Sequence, residues 1–279
     1  MAVLTRDDIE NRVRSHTTIE GVDLEGINLQ GAKLEGARFI RCNMINAQLS
    51  DGVMECADFS RSDLTGAVFR ESRLREAVFN ECDLTNADFS GCQLIESSFK
   101  ETHMERTVFQ DANLNTSFFV AARALLCDFT GAEMKRSYLK DSQFILCLMD
   151  DLQADLALAT KVDFSGASLR RASLDRATLL GANFSMALLE EAVLRGCPLK
   201  QANFFGANLN HTNFTKSNME RAHFLRAKGE AANFNGVNLG GANMRDTIFT
   251  DAVFDQAHMV DTVTDNANFD GASFQGTQK

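Results

Sequence analysis

Histidine and cysteine are the side chains of this sequence most suited to metal binding or nucleophilic chemistry, because imidazole nitrogen and thiolate sulfur are common ligands of zinc. The histidines are His16, His103, His211, His223 and His258, and the cysteines are Cys42, Cys56, Cys82, Cys92, Cys127, Cys147 and Cys197. They form no recognisable ligand set with one another or with paired carboxylates, and the glycines are scattered rather than gathered into a phosphate-binding loop. The sequence therefore predicts no catalytic centre, no metal site and no cofactor.

These residues lie on a five-residue repeat that runs through almost the whole sequence. Stepping by five from Ile19 to Phe274, 47 of the 52 positions visited hold Leu, Phe, Met or Ile. The residue two places before each large apolar residue is usually small, and the residue between them is often Asn or Asp. A fixed short period sustained over this length is typical of a repeat architecture.

The five-residue period fits neither an α-helix, whose apolar stripe recurs every three or four residues, nor a strand, whose side chains alternate. It fits a coil in which each unit of five forms one side of a square, with the small and the large apolar residues pointing inward. Twenty residues then complete one coil, and successive coils stack like parallel strands about 4.8 Å apart. Phenylalanines twenty residues apart, such as Phe39, Phe59 and Phe79, predict stacked aromatic ladders.

The repeated triplet of a small residue, Asp or Asn, and Leu or Phe, as in Ala207-Asn208-Leu209, resembles the pentapeptide-repeat family. The resemblance implies an all-β fold, a right-handed quadrilateral parallel β-helix of about 13 coils. Its members form straight coils without deep pockets, so we expect a non-enzymatic protein.

We expect two regions along the chain. Residues 1–18 precede the repeats and are predicted to form a short capping helix, because Thr5 and Asp8 have the spacing of a helix N-cap. Residues 19–279 are predicted to form the β-helix. An irregular coil or loop is expected near 149–162, where Ala154 and Ala159 replace large residues.

The cysteines and the hydropathy suggest a compartment. Every cysteine except Cys56 occupies the small inward position, where a thiol packs like a slightly larger alanine. Thiols that pack in this way are expected to stay reduced, which fits a reducing cytoplasm, and no apolar run is long enough to cross a membrane. We therefore expect a cytoplasmic protein without membrane insertion.

Charge is distributed unevenly over the predicted sides. The formal net charge is −10, and the side centred on Leu29, Leu49 and Phe69 carries twelve acidic against four basic residues. The candidate acidic face on this side includes Asp88, Asp111, Asp128, Asp150, Asp151, Glu190 and Glu191. Such a surface repels nucleic acid and attracts a basic groove on a partner protein. No direct nucleic-acid binding is therefore expected.

Two further surfaces are candidates for contacts with proteins. Outward positions become apolar between 118 and 148, which predicts an apolar partner patch, with a loop that covers it as the alternative. This patch consists of Phe118, Leu125, Leu126, Ile145, Leu146 and Leu148. At the C-terminal end the repeats stop without a cap, so Phe254, Phe269 and Phe274 are predicted to be exposed and to support a tail-to-tail homodimer.

The function predicted from these features is that of a rod-shaped scaffold or accessory protein that binds a protein partner. The resemblance to the family implies, for a charged head followed by repeats, an association with a bacterial secretion apparatus. The alternative is a DNA mimic that binds type II topoisomerase (DNA gyrase), as the resemblance to quinolone-resistance pentapeptide proteins implies.

Overall fold

The computed structural model describes residues 4–279, which divide into two compact units, one ending at Tyr138 and one running over Leu139–Lys279. The first unit begins with helix α1, Arg6–Arg14, inside the predicted cap. Thr5 and Asp8 cap it reciprocally: the Thr5 hydroxyl accepts from the Asp8 amide, and the Asp8 carboxylate accepts from the Thr5 amide at 2.9 Å. Ile9 is fully buried, and Arg6 donates to the Gln30 carbonyl at 2.9 Å, so the helix is held on the repeats.

The repeats pair in parallel with a register of twenty residues. Four short strands lie in the first unit, namely β1 (Ile19–Glu20), β2 (Phe39–Ile40), β3 (His103–Glu105) and β4 (Arg123–Leu125), and β5 (Gln143–Ile145) lies in the second. β1 pairs with β2 and β3 with β4, and single parallel bridges join most other units. Strands stay this short because the chain turns after every fifth residue. Four five-residue units complete one coil, so each residue pairs with the residue twenty positions further on.

The turns explain why glycine recurs at the last position of each unit. In the unit centred on Leu29, the Ala32 amide donates to the Leu29 carbonyl at 3.0 Å, and Gly31 between them has a φ of 66°. A β-turn whose third residue has positive φ favours glycine there. Non-glycine residues such as Asn46, with a φ of 57°, adopt the same conformation in the same turn, in which the Ala47 amide donates to the Met44 carbonyl at 3.1 Å.

The interior of the first unit is built from two phenylalanine ladders. Neighbouring rings within a ladder stack with centroids 4.6–5.4 Å apart, and rings of the two ladders meet edge to face at 5.2–6.2 Å. The predicted ladders are therefore confirmed, and both ring geometries are favourable. The ladders consist of Phe39, Phe59, Phe79, Phe99 and Phe119, and of Phe69, Phe89, Phe109 and Phe129.

In the second unit the ladders occupy the other two sides of the repeat. Stacked centroids lie 4.8–5.6 Å apart in the columns Phe144, Phe164, Phe184, Phe204, Phe224 and Phe214, Phe234, Phe254, Phe274. Near the end, Gly229 occupies a position that normally holds a large residue. The Phe249 ring of the next coil fills the space above it, so that a Cβ added at Gly229 would lie 2.5 Å from Phe249 Cδ1.

The irregular coil or loop predicted near 149–162 is wrong, because the structure continues the regular repeat there. Gln153 bridges Ser173, and Leu158 bridges Thr178, both in the usual register. Ala154 is fully buried at the large position, and Leu152 is fully buried at the small position beside it. The large and the small residue have exchanged places in this unit, and both stay inside the repeat.

Candidate functional site

The inward cysteines are structural. As predicted, Cys56 is exposed and the other six are buried. The Cys82 thiol donates to the Phe59 carbonyl of the preceding coil at 3.0 Å, and serines at the same position do likewise, as Ser62 does to Phe39 at 2.9 Å. Burial raises the pKa of the Cys82 thiol from 9.0 to about 12, so it stays protonated and unreactive.

The histidines do not converge. His103 lies on β3 with its side chain exposed, and His258 Nδ1 lies 3.1 Å from Gln278 Oε1. Over residues 4–279 no group of three or more His, Cys, Asp or Glu side chains could hold a metal ion. No helix among these residues is long and apolar enough to cross a membrane.

In the first unit the acidic face is partly neutralised. Asp88 accepts from Arg70 Nε at 2.5 Å and from Ser90 Oγ at 2.6 Å, and Asp128 accepts from Gln110 at 2.7 Å. Burial opposes ionisation of Asp88, but the hydrogen bonds from Ser90 and Arg70 outweigh it and lower the pKa of this carboxyl. Asp111 is exposed, in a left-handed turn with a φ of 54°.

In the second unit the same face carries a ladder of alternating charge. The Arg171 guanidinium donates to both Asp151 oxygens at 2.8 and 2.7 Å, and this hydrogen bonding lowers the pKa of Asp151. Arg170 lies between Asp150 and Glu190, with nitrogen-to-oxygen distances of 3.9 and 3.5 Å. Glu191 is exposed beside them, so the four carboxylates meet two arginines and the face remains negative.

The predicted apolar patch is divided between the two units. In the first unit the Phe118 ring stacks on Tyr138 with centroids 4.7 Å apart, and Lys100 Nζ lies 5.2 Å from the Phe118 centroid. Leu125 and Leu126 are exposed at 39% and 44%. In the second unit Leu146 and Leu148 are exposed at 51% and 52%, and Ile145 is half-buried.

Sequence reasoning missed how far the apolar surface extends in the second unit. Met186 is 60% exposed, the largest fraction among the exposed large apolar side chains, and Phe205 beside it is half-buried. A Cβ added at Gly166 would lie 2.6 Å from Leu146 Cδ2, and one added at Gly206 would lie 2.6 Å from Met186 Sδ. Leu146 and Met186 therefore each cover the glycine one coil further on. The signal in the sequence is Phe205, since it departs from the five-residue phase.

We name this surface the apolar corner, because its residues lie on either side of one turn of the repeat. It consists of Ile145, Leu146, Leu148, Met186, Leu188, Phe205 and Leu225, all in the second unit.

At the C-terminal end the prediction for Phe254 is wrong. This side chain is fully buried, because Phe274 stacks on it at 5.1 Å and Phe269 contacts it edge to face at 5.5 Å. Phe269 and Phe274 are half-buried and line a depression of about 430 Å³ with Met259 and Lys279. Lys279 Nζ lies 4.9 Å from the Phe274 centroid.

Comparison with known families identifies the repeat. A family described as pentapeptide repeats matches residues 19–55, 54–91, 87–123, 230–263 and 247–278, and one described as a pentapeptide repeat region matches 167–244. These matches cover more than half of the chain. The chain therefore belongs to the pentapeptide-repeat family, and its fold is a β-helix solenoid.

Solved structures of this kind are similar to the chain. HetL, a pentapeptide-repeat protein involved in heterocyst differentiation regulation in the cyanobacterium Nostoc sp. strain PCC 7120, is 19% identical, with 97% of each chain covered and a TM-score of 0.25. QnrB1, a plasmid-mediated fluoroquinolone resistance protein, is 15% identical over 95% of this chain and 91% of its own, with a TM-score of 0.29. Scores this low leave the function of this chain unconstrained. The search of curated proteins returned no match.

Proposed function

We propose that this protein is a non-catalytic scaffold that binds a protein partner through the outer sides of its repeats. Right-handed, quadrilateral winding with about 13 coils is the geometry that we propose for its solenoid. The interior supports the non-catalytic role, because the buried positions are filled by packed rings, aliphatic side chains and protonated thiols rather than by groups poised for chemistry.

The observation that carries the proposal is the apolar corner. Leu146, Leu148 and Met186 are each more than half exposed, while the large residues of the neighbouring inward positions are fully buried. Contiguous exposed apolar surface on a soluble protein marks an interaction site more often than it serves the fold. Exposing these apolar side chains to water is unfavourable in free energy, and binding of a partner would remove this exposure.

The test is recovery and reconstitution of a partner. Tagged full-length protein is incubated with bacterial extract, bound proteins are identified, and each is purified and titrated back by calorimetry. Variants Glu190→Lys with Glu191→Lys probe the acidic face, and Leu126→Asp with Leu146→Asp probes the predicted apolar patch. Failure of every purified candidate to bind at tens of micromolar would refute the scaffold function.

A second candidate function is supported by the acidic face. One side of the repeat carries twelve acidic residues against four basic ones. A basic groove that binds DNA would attract this negative charge, as expected for a DNA mimic that binds type II topoisomerase. The pairing of Asp88 and Asp151 with arginines weakens this similarity, since part of the charge is neutralised. DNA gyrase supercoiling assays with titrated protein test it. Unchanged gyrase activity at tens of micromolar protein would remove this candidate.

Three narrower proposals complete the assignment. Self-association through the C-terminal end, where Phe269 and Phe274 are half-buried, predicts a dimer that Phe274→Asp disperses in light scattering. We also propose a cytoplasmic location, which the buried thiols of Cys82, Cys92 and Cys197 support, because each donates to a backbone carbonyl as a reduced thiol does. The charged α1 ahead of the repeats is the feature that supports an accessory role beside a bacterial secretion apparatus.

A further inference from the structure

We propose that the apolar corner binds an amphipathic α-helix of a partner protein, with an apolar stripe flanked by lysine or arginine. The inference rests on the proposed scaffold function and names the chemistry of the partner at one surface. Three observations support it: the length of the apolar corner, the hydrogen bonding of its backbone and the charge of the neighbouring residues.

The corner forms an apolar strip that follows successive coils of the second unit. Leu146 covers Gly166, and Met186 covers Gly206, so two exposed side chains extend over four successive coils. Phe205 and Leu225 continue the strip, both half-buried. From the coil of Leu146 to that of Leu225 the strip spans four coil steps, about 19 Å. A helix of about 13 residues has this length.

The backbone of the corner cannot accept an added strand, because it is already paired along the strip. The Leu146 amide donates to the Ser165 carbonyl at 3.0 Å, and the Met186 amide donates to the Phe205 carbonyl at 2.8 Å. Gly206 continues the pattern, donating to Leu225 at 3.0 Å. Strand addition requires free edge groups, whereas a helix that satisfies its own backbone needs only side-chain contacts. The strip therefore favours a helix over an extended peptide.

Charge beside the corner selects the flanks of that helix. The coils of Leu146 and Met186 carry Asp150, Asp151, Glu190 and Glu191, which exceed Arg170 and Arg171 by two charges, whereas the coil of Leu225 carries the exposed Arg226 and Lys228. Leu148 and Leu188 precede these carboxylates by two or three residues, so a docked helix lies next to them. Basic flanking residues gain from this negative rim, and acidic flanks are repelled.

The experiment uses a defined probe. A fluorescein-labelled 16-residue peptide of leucine and lysine, with leucines at helical stripe positions, is titrated with the full chain and followed by anisotropy. Leu146→Ser with Met186→Ser tests the corner. Leu158→Ser with Leu180→Ser is the matched control, because these leucines are 43% and 39% exposed in the same unit but outside the corner. We expect the corner variant to weaken binding at least about tenfold and the control variant to change it less than about twofold.

Several results would overturn the inference. These are absence of peptide binding, equal weakening by both variants, equal binding of a peptide with the same composition in scrambled order, or tighter binding when glutamate replaces lysine. Sedimentation velocity showing self-association that the corner variant abolishes would assign the strip to a second copy instead. If a purified partner binds the wild type and the corner variant equally, the helix inference falls and the scaffold function stands. If no partner is found, the scaffold function falls while peptide binding still reports on the corner.

Discussion

Substituting Gly229 by alanine tests the packing of the second unit, because this glycine leaves the space that Phe249 occupies. The added Cβ would lie 2.5 Å from Phe249 Cδ1, where carbon atoms prefer 3.5–4.0 Å, so the ring must retreat by about 1 Å. Phe249 has little room, since it meets Phe234 edge to face at 5.2 Å and Phe254 at 6.0 Å. Overpacking of this kind costs about 1–3 kcal/mol of unfolding free energy.

The double variant Gly229→Ala with Phe249→Leu makes the argument specific. Leucine is shorter than phenylalanine, so the methyl group gains room, and the two substitutions should destabilise by about 1–2 kcal/mol less than the sum of the single changes. Gly229 has no positive φ, so backbone strain does not contribute.

The assay should report locally, because solenoids can lose single repeats before the rest unfolds. Hydrogen exchange of the Phe249 amide, which donates to the Asn268 carbonyl at 2.8 Å, reports on the coil in question. Urea unfolding followed by circular dichroism gives the global value. Additive effects of the two substitutions, or unchanged exchange in Gly229→Ala, would refute the packing argument.

Three further predictions concern the turns, the ladders and the thiols. Gly36→Ala places a methyl in open space at a φ of 66°, so only backbone strain acts, and urea unfolding should show a loss of about 1–2 kcal/mol. Phe89→Ala removes a ring that stacks on both neighbours of its ladder, and the same measurement should show a loss of about 3–5 kcal/mol, with Phe89→Leu losing less. Burial raises the pKa values of Cys82, Cys92 and Cys197 to about 12, while the unfolded thiols ionise near 9.0. The unfolded chain therefore binds fewer protons than the folded chain between these pH values. The free energy of unfolding should fall above pH 9.0 by up to about 1.4 kcal/mol per pH unit for each thiol. Replacing the three cysteines by serine should make this pH dependence less steep.

The results that would contradict these three predictions differ. Full stability of the Gly36 variant would show that the turn relaxes without strain. Equal losses for alanine and leucine at Phe89 would show that buried apolar volume, which leucine largely restores, does not account for the loss. An unchanged alkaline slope in the serine variant would assign alkaline destabilisation to other groups.

Most of the fold follows from the sequence, because a period of five with two inward positions leaves few ways to bury every large residue. The ladder through Phe59 and Phe79 is a direct consequence of the twenty-residue register, as is the burial of Cys82 at a small position. The start of α1 also follows from local chemistry, since Thr5 and Asp8 satisfy each other's backbone groups.

The acidic face and the apolar surface were predicted less completely. The repeat predicts that Asp151 and Leu146 point outward, but the ion pair of Asp151 with Arg171 depends on side-chain conformation. Met186 was missed because a single exposed methionine carries no signal until its neighbours in the adjoining coils are known.

The sequence by itself determined which residues point inward, how often the chain turns and how the charges divide among the sides. The tertiary structure alone decided how volume is shared between coils, since Phe249 fills the space left by Gly229 in the preceding coil. The physical reason is that packing depends on the sum of side-chain volumes across coils twenty residues apart, whereas a periodic pattern classifies each position separately. For the same reason the prediction for Phe254 was wrong. Its place near the end of the repeats predicted an exposed side chain, but Phe274 of the next coil covers it.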